Sequence, residues 1–254
     1  SIMRKISIFI LSCILSFSSV IADEGMWLPM LVERLNYVDM QKEGLQLTPE
    51  ELYSINNSSL KDAIVRLGRG FCTGEMISDQ GLMLTNHHCG FDAIQSLSSE
   101  TKNYLDDGFW AMERKDEIPA GFSVSFLKKM EDVSDQINAE LNESMSENER
   151  TEKINELSNS IKEIAIGESS LTAEVKSFFN GNEFYLFLYQ TFNDVRLAGA
   201  PPESIGKFGG DTDNWMWPRH TGDFSIFRVY ANKNNEPASF SKDNIPYKPD
   251  HHLP

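Results

Sequence analysis

The sequence is poor in cysteine and in basic residues. Its 254 residues include 3 cysteines, and 23 Lys and Arg stand against 38 Asp and Glu, which gives a net charge of −15. Because phosphate backbones are bound by clustered basic side chains, nucleic acid is not an expected partner. No Cys-x-x-Cys pair is present, so a zinc site is not expected. We expect no cofactor. We interpret the acidity as a contribution to solubility.

Long apolar runs are also scarce. Residues 6–19 form one, after Arg4 and Lys5, and this run is short for a membrane span. Residues 20–22, Val-Ile-Ala, resemble a signal peptidase site. The pattern predicts a signal peptide over residues 1–22 and an exported protein with no stable membrane span after cleavage, with an uncleaved anchor as the alternative.

Two cysteines, Cys72 and Cys89, follow the predicted signal peptide. Export places them in an oxidising compartment, where a pair of cysteines favours a disulfide. We therefore predict a Cys72–Cys89 bond.

The remaining pattern alternates between strand and helix character. Residues 70–77 and 82–85 predict a hairpin, and residues 174–177, 183–191 and 224–231 predict further strands. Apolar residues recur every three or four positions over residues 130–166, which predicts a helical pair or one long helix. The fold class expected is mainly β with a helical insert: half of a β-barrel, with strands at about 68–90 and 174–231, plus part of an α-helical domain.

The predicted hairpin ends at residues 86–89, Asn-His-His-Cys. A histidine that follows a strand and adjoins a bridged cysteine is held firmly enough to take a proton from a nucleophile. The His-Cys order resembles that of trypsin-like peptidases, which favours His88 as the general base and His87 as its neighbour.

A general-base histidine needs a carboxylate to orient it. In trypsin-like chains this aspartate follows the histidine and begins an apolar strand, as Asp223 does. Asp211 and Asp213 are rivals, but no regular strand follows either of them. No Gly-x-Ser-x-Gly or Gly-Asp-Ser-Gly motif occurs, and Ser204 and Ser225 precede Asp223 or lie too close to it. We therefore expect the nucleophilic serine beyond residue 254 and no activity from residues 23–254 alone.

Three segments carry a resemblance to a known family: residues 70–77, residues 81–90 and residues 208–231, the last containing Gly-Gly-Asp-Thr-Asp-Asn-Trp and His-Thr-Gly-Asp. Here the chain is similar to the dipeptidyl peptidase 7 and dipeptidyl peptidase 11 family of exported bacterial serine exopeptidases. The resemblance implies a chymotrypsin-type double barrel with an inserted helical domain. Residues 23–254 would form its N-terminal part.

The resemblance also assigns roles to residues. It implies that His88 and Asp223 are catalytic and that Asn214 and Trp215 bind the free α-amino group of a peptide substrate. The expected location is the periplasm or cell surface of a Gram-negative bacterium, and a homodimer is a partner hypothesis.

Three other functions stay open at this point. One is a secreted trypsin-like endopeptidase, and another is a catalytically inactive, peptidase-like binding module. The third is a metal hydrolase that uses His87, His88, His251 and His252, although adjacent histidines seldom bind one ion together.

Overall fold

The computed structural model describes residues 28–54, 57–142, 144–207, 217 and 220–249. The chain divides into two compact units, residues 1–45 and 46–254. In the first unit, a 3₁₀ turn at Pro29–Leu31 precedes the short helices α1 (Val32–Leu35) and α2 (Tyr37–Lys42). The predicted signal peptide lies outside the described residues.

The second unit contains an eleven-stranded antiparallel sheet. Its strands are β1 (Ile64–Leu67), β2 (Cys72–Met76), β3 (Leu82–Thr85), β4 (Phe109–Trp110), β5 (Ile118–Pro119), β6 (Val124–Asp132), β7 (Thr172–Phe178), β8 (Glu183–Phe192), β9 (Asp194–Ala200), β10 (Ser225–Ala231) and β11 (Ile245–Pro246). The predicted hairpin is present as β2 and β3, and the strands predicted near the end of the chain are present as β7, β8 and β10.

Helices of the second unit are short, with two exceptions. They are α3 (Pro49–Leu52), α4 (His87–Leu97), α5 (Tyr104–Asp107), α6 (Ser134–Asn138), α7 (Glu147–Ile166) and α8 (Glu203–Gly206), with 3₁₀ turns at Leu60–Ala63, Arg114–Asp116 and Phe179–Gly181. Capping boxes begin α3, at Thr48 and Glu51, and α7, at Ser146 and Glu149. No helix within the described ranges is both long and apolar enough to cross a membrane.

The strand order shows how the sheet curls. Neighbouring strands run β9-β10-β3-β2-β1-β6-β8, and β8 continues into β9 through the single residue Asn193. The path from β9 through the neighbouring strands to β8, and then through Asn193, therefore returns to β9. Closure of this kind gives a six-position barrel in which β8 and β9 share one position. The mainly β fold class is confirmed.

One hydrophobic cluster fills the barrel. It takes buried side chains from strands that are far apart in the order, including Leu67 of β1, Phe126 of β6, Leu197 of β9 and Phe227 of β10. Such strands share a core only because the sheet is curled.

The helical prediction for residues 130–166 is partly wrong. Met130 lies in β6, and helix occurs only in α6 and α7. Three apolar residues in this region, Met130, Val133 and Ile137, are buried. Met130 lies in a strand and Ile137 lies in the helix that follows it. The three residues therefore have the spacing of a helical repeat although they do not belong to one helix. Val133 and Ile137 join a second apolar cluster, against which α7 packs. The division into domains stays a prediction.

Candidate active site

The site lies where two paired strands end side by side. Strand β3 pairs with β10 in antiparallel register, with Thr85 opposite Ser225. Thr85 is the last residue of β3 and Ser225 is the first of β10. Residues that follow β3 therefore meet residues that precede β10, and this brings His88 together with Asp223.

Asp223 contacts His88 through both carboxylate oxygens. Oδ2 lies 2.7 Å from ring atom Nδ1, and Oδ1 accepts the backbone N–H of His88 at 3.1 Å. An ionised carboxylate only accepts hydrogen bonds, so Nδ1 carries the ring proton and Nε2 of the neutral ring is an acceptor. The side chain of His88 is 57% exposed and that of Asp223 is 21% exposed, so the imidazole is accessible while its partner is largely sheltered.

Asn86 holds the aspartate from another side. Its Nδ2 donates to Oδ2 of Asp223 at 3.3 Å and to the Asp223 carbonyl at 3.2 Å. The hydroxyl of Ser225, a fully buried residue, donates to the Asn86 carbonyl at 2.9 Å. Ser225 is thus a support for Asn86 and is not placed as a nucleophile.

Helix α4 approaches β10 closely at Gly90. A Cβ atom at Gly90 would lie 2.7 Å from Oγ of Ser225, which is shorter than a van der Waals contact. Helix α4 can pack this closely against β10 because residue 90 is glycine.

Cys72 and Cys89 form a disulfide. The bond ties β2 to the first turn of α4, next to His88. Ligand atoms of Cys72, Cys89 and His88 lie within 4.8 Å of one another. Because both sulfur atoms are shared in the disulfide, they are not thiolate ligands for a metal ion in this state.

A groove of about 500 Å³ opens beside His88. The two cysteines, Phe71 and Phe122 contribute to its walls. The rings of Phe71 and Phe122 meet edge to face, with centroids 5.9 Å apart. The groove could give an extended ligand a partly apolar surface next to His88.

His87 lies on a different face of α4 from His88. Its side chain is fully buried, and among the described residues neither ring nitrogen makes a hydrogen bond of good geometry, although the Pro201 backbone acts on the ring as an acceptor. Burial lowers the pKa of His87, while Asp223, the backbone of Pro201 and Glu203 act in the opposite direction. Successive helical residues point about 100° apart, which could have predicted one inward and one outward histidine had the start of α4 been placed at residue 87. The two rings are therefore poorly placed to share a metal ion.

The loop expected to bind the substrate amine is described only at its base. The Thr221 hydroxyl donates to the carbonyl oxygens of Ile205 and Gly206 at 2.7 and 3.1 Å, and the Gly222 N–H donates to Ile205 at 3.0 Å. Asn214 and Trp215 lie outside the described residues, as do the rival carboxylates Asp211 and Asp213 and the pair His251 and His252. Their roles stay predictions.

A histidine with Nδ1 bonded to a carboxylate, set at the ends of adjacent strands of a six-position barrel, is an arrangement typical of chymotrypsin-type serine peptidases. Comparison with known families gives the same class. Residues 22–254 match the family described as Peptidase S46, and the chain belongs to that family.

Several curated proteins are similar to the chain over nearly its whole length. A dipeptidyl-peptidase 7 of Capnocytophaga gingivalis is 52% identical over 252 residues, which cover 97% of this chain and 35% of that protein. An Asp/Glu-specific dipeptidyl-peptidase of Flavobacterium psychrophilum is 48% identical, with 99% and 35% covered. The chain therefore spans about a third of the length of these relatives.

A solved structure gives the same picture. The crystal structure of Porphyromonas endodontalis DPP11 in complex with substrate matches with a TM-score of 0.79 at 45% identity. The match covers 90% of this chain and 34% of that one.

Proposed function

We propose that this chain is the histidine- and aspartate-bearing part of a serine-type dipeptidyl aminopeptidase, which releases dipeptides from the free N-terminus of peptides. His88 is the general base and Asp223 orients it. The nucleophilic serine is proposed to belong to the rest of a longer protein, because relatives of this chain are about three times its length. The observation that carries the proposal is the 2.7 Å contact between Nδ1 of His88 and Asp223.

The contact determines how protons move in the proposed reaction. As the serine oxygen attacks the carbonyl carbon of the cut bond, its proton passes to Nε2 of His88, and Asp223 stabilises the resulting imidazolium without becoming protonated. The C–N bond then breaks, and the same proton passes from Nε2 to the leaving amine. Water repeats the cycle to release the acyl group as a dipeptide.

The substrate class follows from the family and from the predicted amine site. Proteins named dipeptidyl-peptidase 7 and Asp/Glu-specific dipeptidyl-peptidase match the chain at similar identity, so we propose dipeptide release without assigning the side chain before the cut bond. An Asn carbonyl and an indole face suit an ammonium group, as acceptor and as cation–π partner. We propose this role for Asn214 and Trp215.

Export is part of the proposal. A signal-like segment over residues 1–22 and the pairing of Cys72 with Cys89 support a periplasmic or surface location, where the disulfide persists.

The test compares free and blocked peptides on the full-length protein. Mass spectrometry should detect successive dipeptides from a peptide with a free N-terminus and none from its N-acetylated twin, because the acetyl group removes the ammonium. Equal cleavage of both peptides would favour a trypsin-like endopeptidase. No cleavage of either would favour an inactive binding module.

A further inference from the structure

His87 takes no part in the proposed reaction. Its imidazole is fully buried at the start of α4, and among the described residues neither ring nitrogen makes a hydrogen bond of good geometry, the Pro201 backbone being the one acceptor that acts on the ring. A polar ring in such a place costs free energy relative to an apolar side chain. That cost calls for a role in packing or in function.

The ring lies directly against Gly206 of α8. A Cβ atom built on Gly206 would lie 2.3 Å from Cγ and from Cδ2 of His87, and 2.8 Å from Nδ1. No side chain larger than hydrogen fits at residue 206 while the ring is present. The two residues therefore fix each other's position.

Gly206 is in turn bonded to the segment that carries the aspartate. Thr221 donates to the carbonyl oxygens of Ile205 and Gly206, and the Gly222 N–H donates to that of Ile205. Asp223 is the next residue in the chain. A continuous series of contacts thus runs from the buried ring, through the last turn of α8, to the carboxylate that contacts His88.

Resting on the proposed function, we propose that His87 is a positioning residue: its buried ring supports Gly206 and Ile205, which hold Thr221 and Gly222 and so set Asp223 against His88. His87 contacts neither substrate nor reacting atoms. The neighbouring histidines of the Asn-His-His-Cys segment thus have different roles. His88 is the exposed base, and His87 is the buried support for Asp223, which orients His88.

The size of the effect follows from the sensitivity of catalysis to geometry. A displacement of about 1 Å in a catalytic group can reduce turnover by about 100-fold. Loss of the ring removes a contact and leaves the hydrogen bonds of Thr221 and Gly222 in place, so we expect turnover to fall by less than 100-fold. Insertion of a Cβ at Gly206 pushes directly on the bonded segment, so we expect turnover to fall further than it does when the ring is removed.

The experiment uses His87→Ala, His87→Phe, Gly206→Ala and the double variant His87→Ala/Gly206→Ala in the full-length protein. We expect kcat per folded molecule to fall about tenfold in His87→Ala and about 100-fold in Gly206→Ala, with KM nearly unchanged. His87→Phe refills the space and should stay within about threefold of the parent. The double variant should be faster than Gly206→Ala, because the clash is gone. Gln95→Ala, at an exposed position of the same helix, is the matched control.

Three results would overturn the inference. The first is a kcat for folded His87→Ala within twofold of the parent. The second is a double variant no faster than Gly206→Ala, and the third is a failure of the His87 variants to fold. If the His87 variants have a lower melting temperature but an unchanged kcat, or do not fold, the role of the ring is structural. The inference then fails while the proposed function stands. A parent enzyme that releases no dipeptides would instead contradict the proposed function itself.

Discussion

Asp223 binds His88 at two points, the ring through Oδ2 at 2.7 Å and the backbone N–H through Oδ1 at 3.1 Å. The second contact means that the carboxylate fixes the backbone of His88 as well as the tautomer of its ring. The orientation of the His88 ring thus depends directly on Asp223, and the consequences can be measured.

Asp223→Asn should reduce kcat/KM of the full-length protein by about 10⁴-fold. The amide is almost isosteric, but its NH₂ group can donate to Nδ1 and so stabilise the tautomer with the proton on Nε2. Steady-state kinetics on a free N-terminal peptide measure the change, and an unaltered melting temperature is the control. A loss of less than tenfold would show that Asp223 does not orient the base.

Asn86 should matter less than Asp223, since its side chain holds Asp223 and does not contact the His88 ring. A hydrogen bond to a charged group contributes about 1.5–3 kcal/mol, so Asn86→Ala should lower kcat/KM by about 10–100-fold. Asn86→Asp should be slower than Asn86→Ala, because it places a second carboxylate beside Asp223. Equal rates for the two variants would contradict this account of Asn86.

A buried ion pair on the barrel predicts a stability effect away from the site. Glu117 accepts from Nε of Arg228 at 2.8 Å and from the Tyr230 hydroxyl at 2.7 Å, and the two charged side chains are 3% and 11% exposed. Glu117→Gln should lower the free energy of unfolding by about 3–5 kcal/mol, because Arg228 loses its counter-charge. The exposed pair Lys129–Glu131 gives the control, for which Glu131→Gln should cost no more than about 1 kcal/mol in chemical denaturation. Equal costs for the two variants would contradict the prediction.

The disulfide predicts a second effect on stability. It closes a loop with a sequence separation of 17, and a loop of this length restrains the unfolded chain by about 3 kcal/mol. The double variant Cys72→Ser/Cys89→Ser should therefore unfold at a lower temperature than the parent. Addition of a thiol reductant should lower the melting temperature of the parent and leave the variant unchanged. A variant as stable as the oxidised parent would contradict the prediction.

Burial of His87 predicts a dependence of stability on pH. Its folded pKa is below the ordinary value, chiefly because of burial, and among its neighbours Asp223 and Glu203 oppose the shift while His88 adds to it. The neutral ring contributes its full stability above the unfolded pKa of about 6.5, and this contribution is lost as the pH falls through the unfolded value toward the folded one. Between about pH 7 and pH 5 the parent should lose more free energy of unfolding than His87→Phe. Parallel curves would contradict the prediction.

The sequence predicts the local part of this site well and the packing around it poorly. His88 and Asp223 could be paired because a cysteine marks one strand end and an apolar strand follows the other, and both signals are local. The pairing of Thr85 with Ser225, which brings them together, joins residues 140 positions apart and has no local signal. The hydrogen bonds from Asn86 to Asp223 cannot be predicted from the sequence for the same reason.

Burial of His87 and the path of the chain near Met130 were both missed. In each case the missing information is the boundary of an element: α4 begins at His87, and β6 ends at Asp132 shortly before α6 begins. Apolar spacing across such a boundary mixes two periodicities. The contact of His87 with Gly206 depends on tertiary packing, and a single glycine in the sequence carries no indication of what lies against it.

We propose that His88, held by Asp223, activates a serine nucleophile. Labelling of the full-length protein with a fluorophosphonate, followed by peptide mapping, tests it most directly, because the reagent reacts with serine only when a base removes the hydroxyl proton. We predict rapid labelling of one serine in the parent, and almost none in folded His88→Ala. Labelling that is equally fast in both proteins, or absent from a parent that releases dipeptides, would contradict the claim.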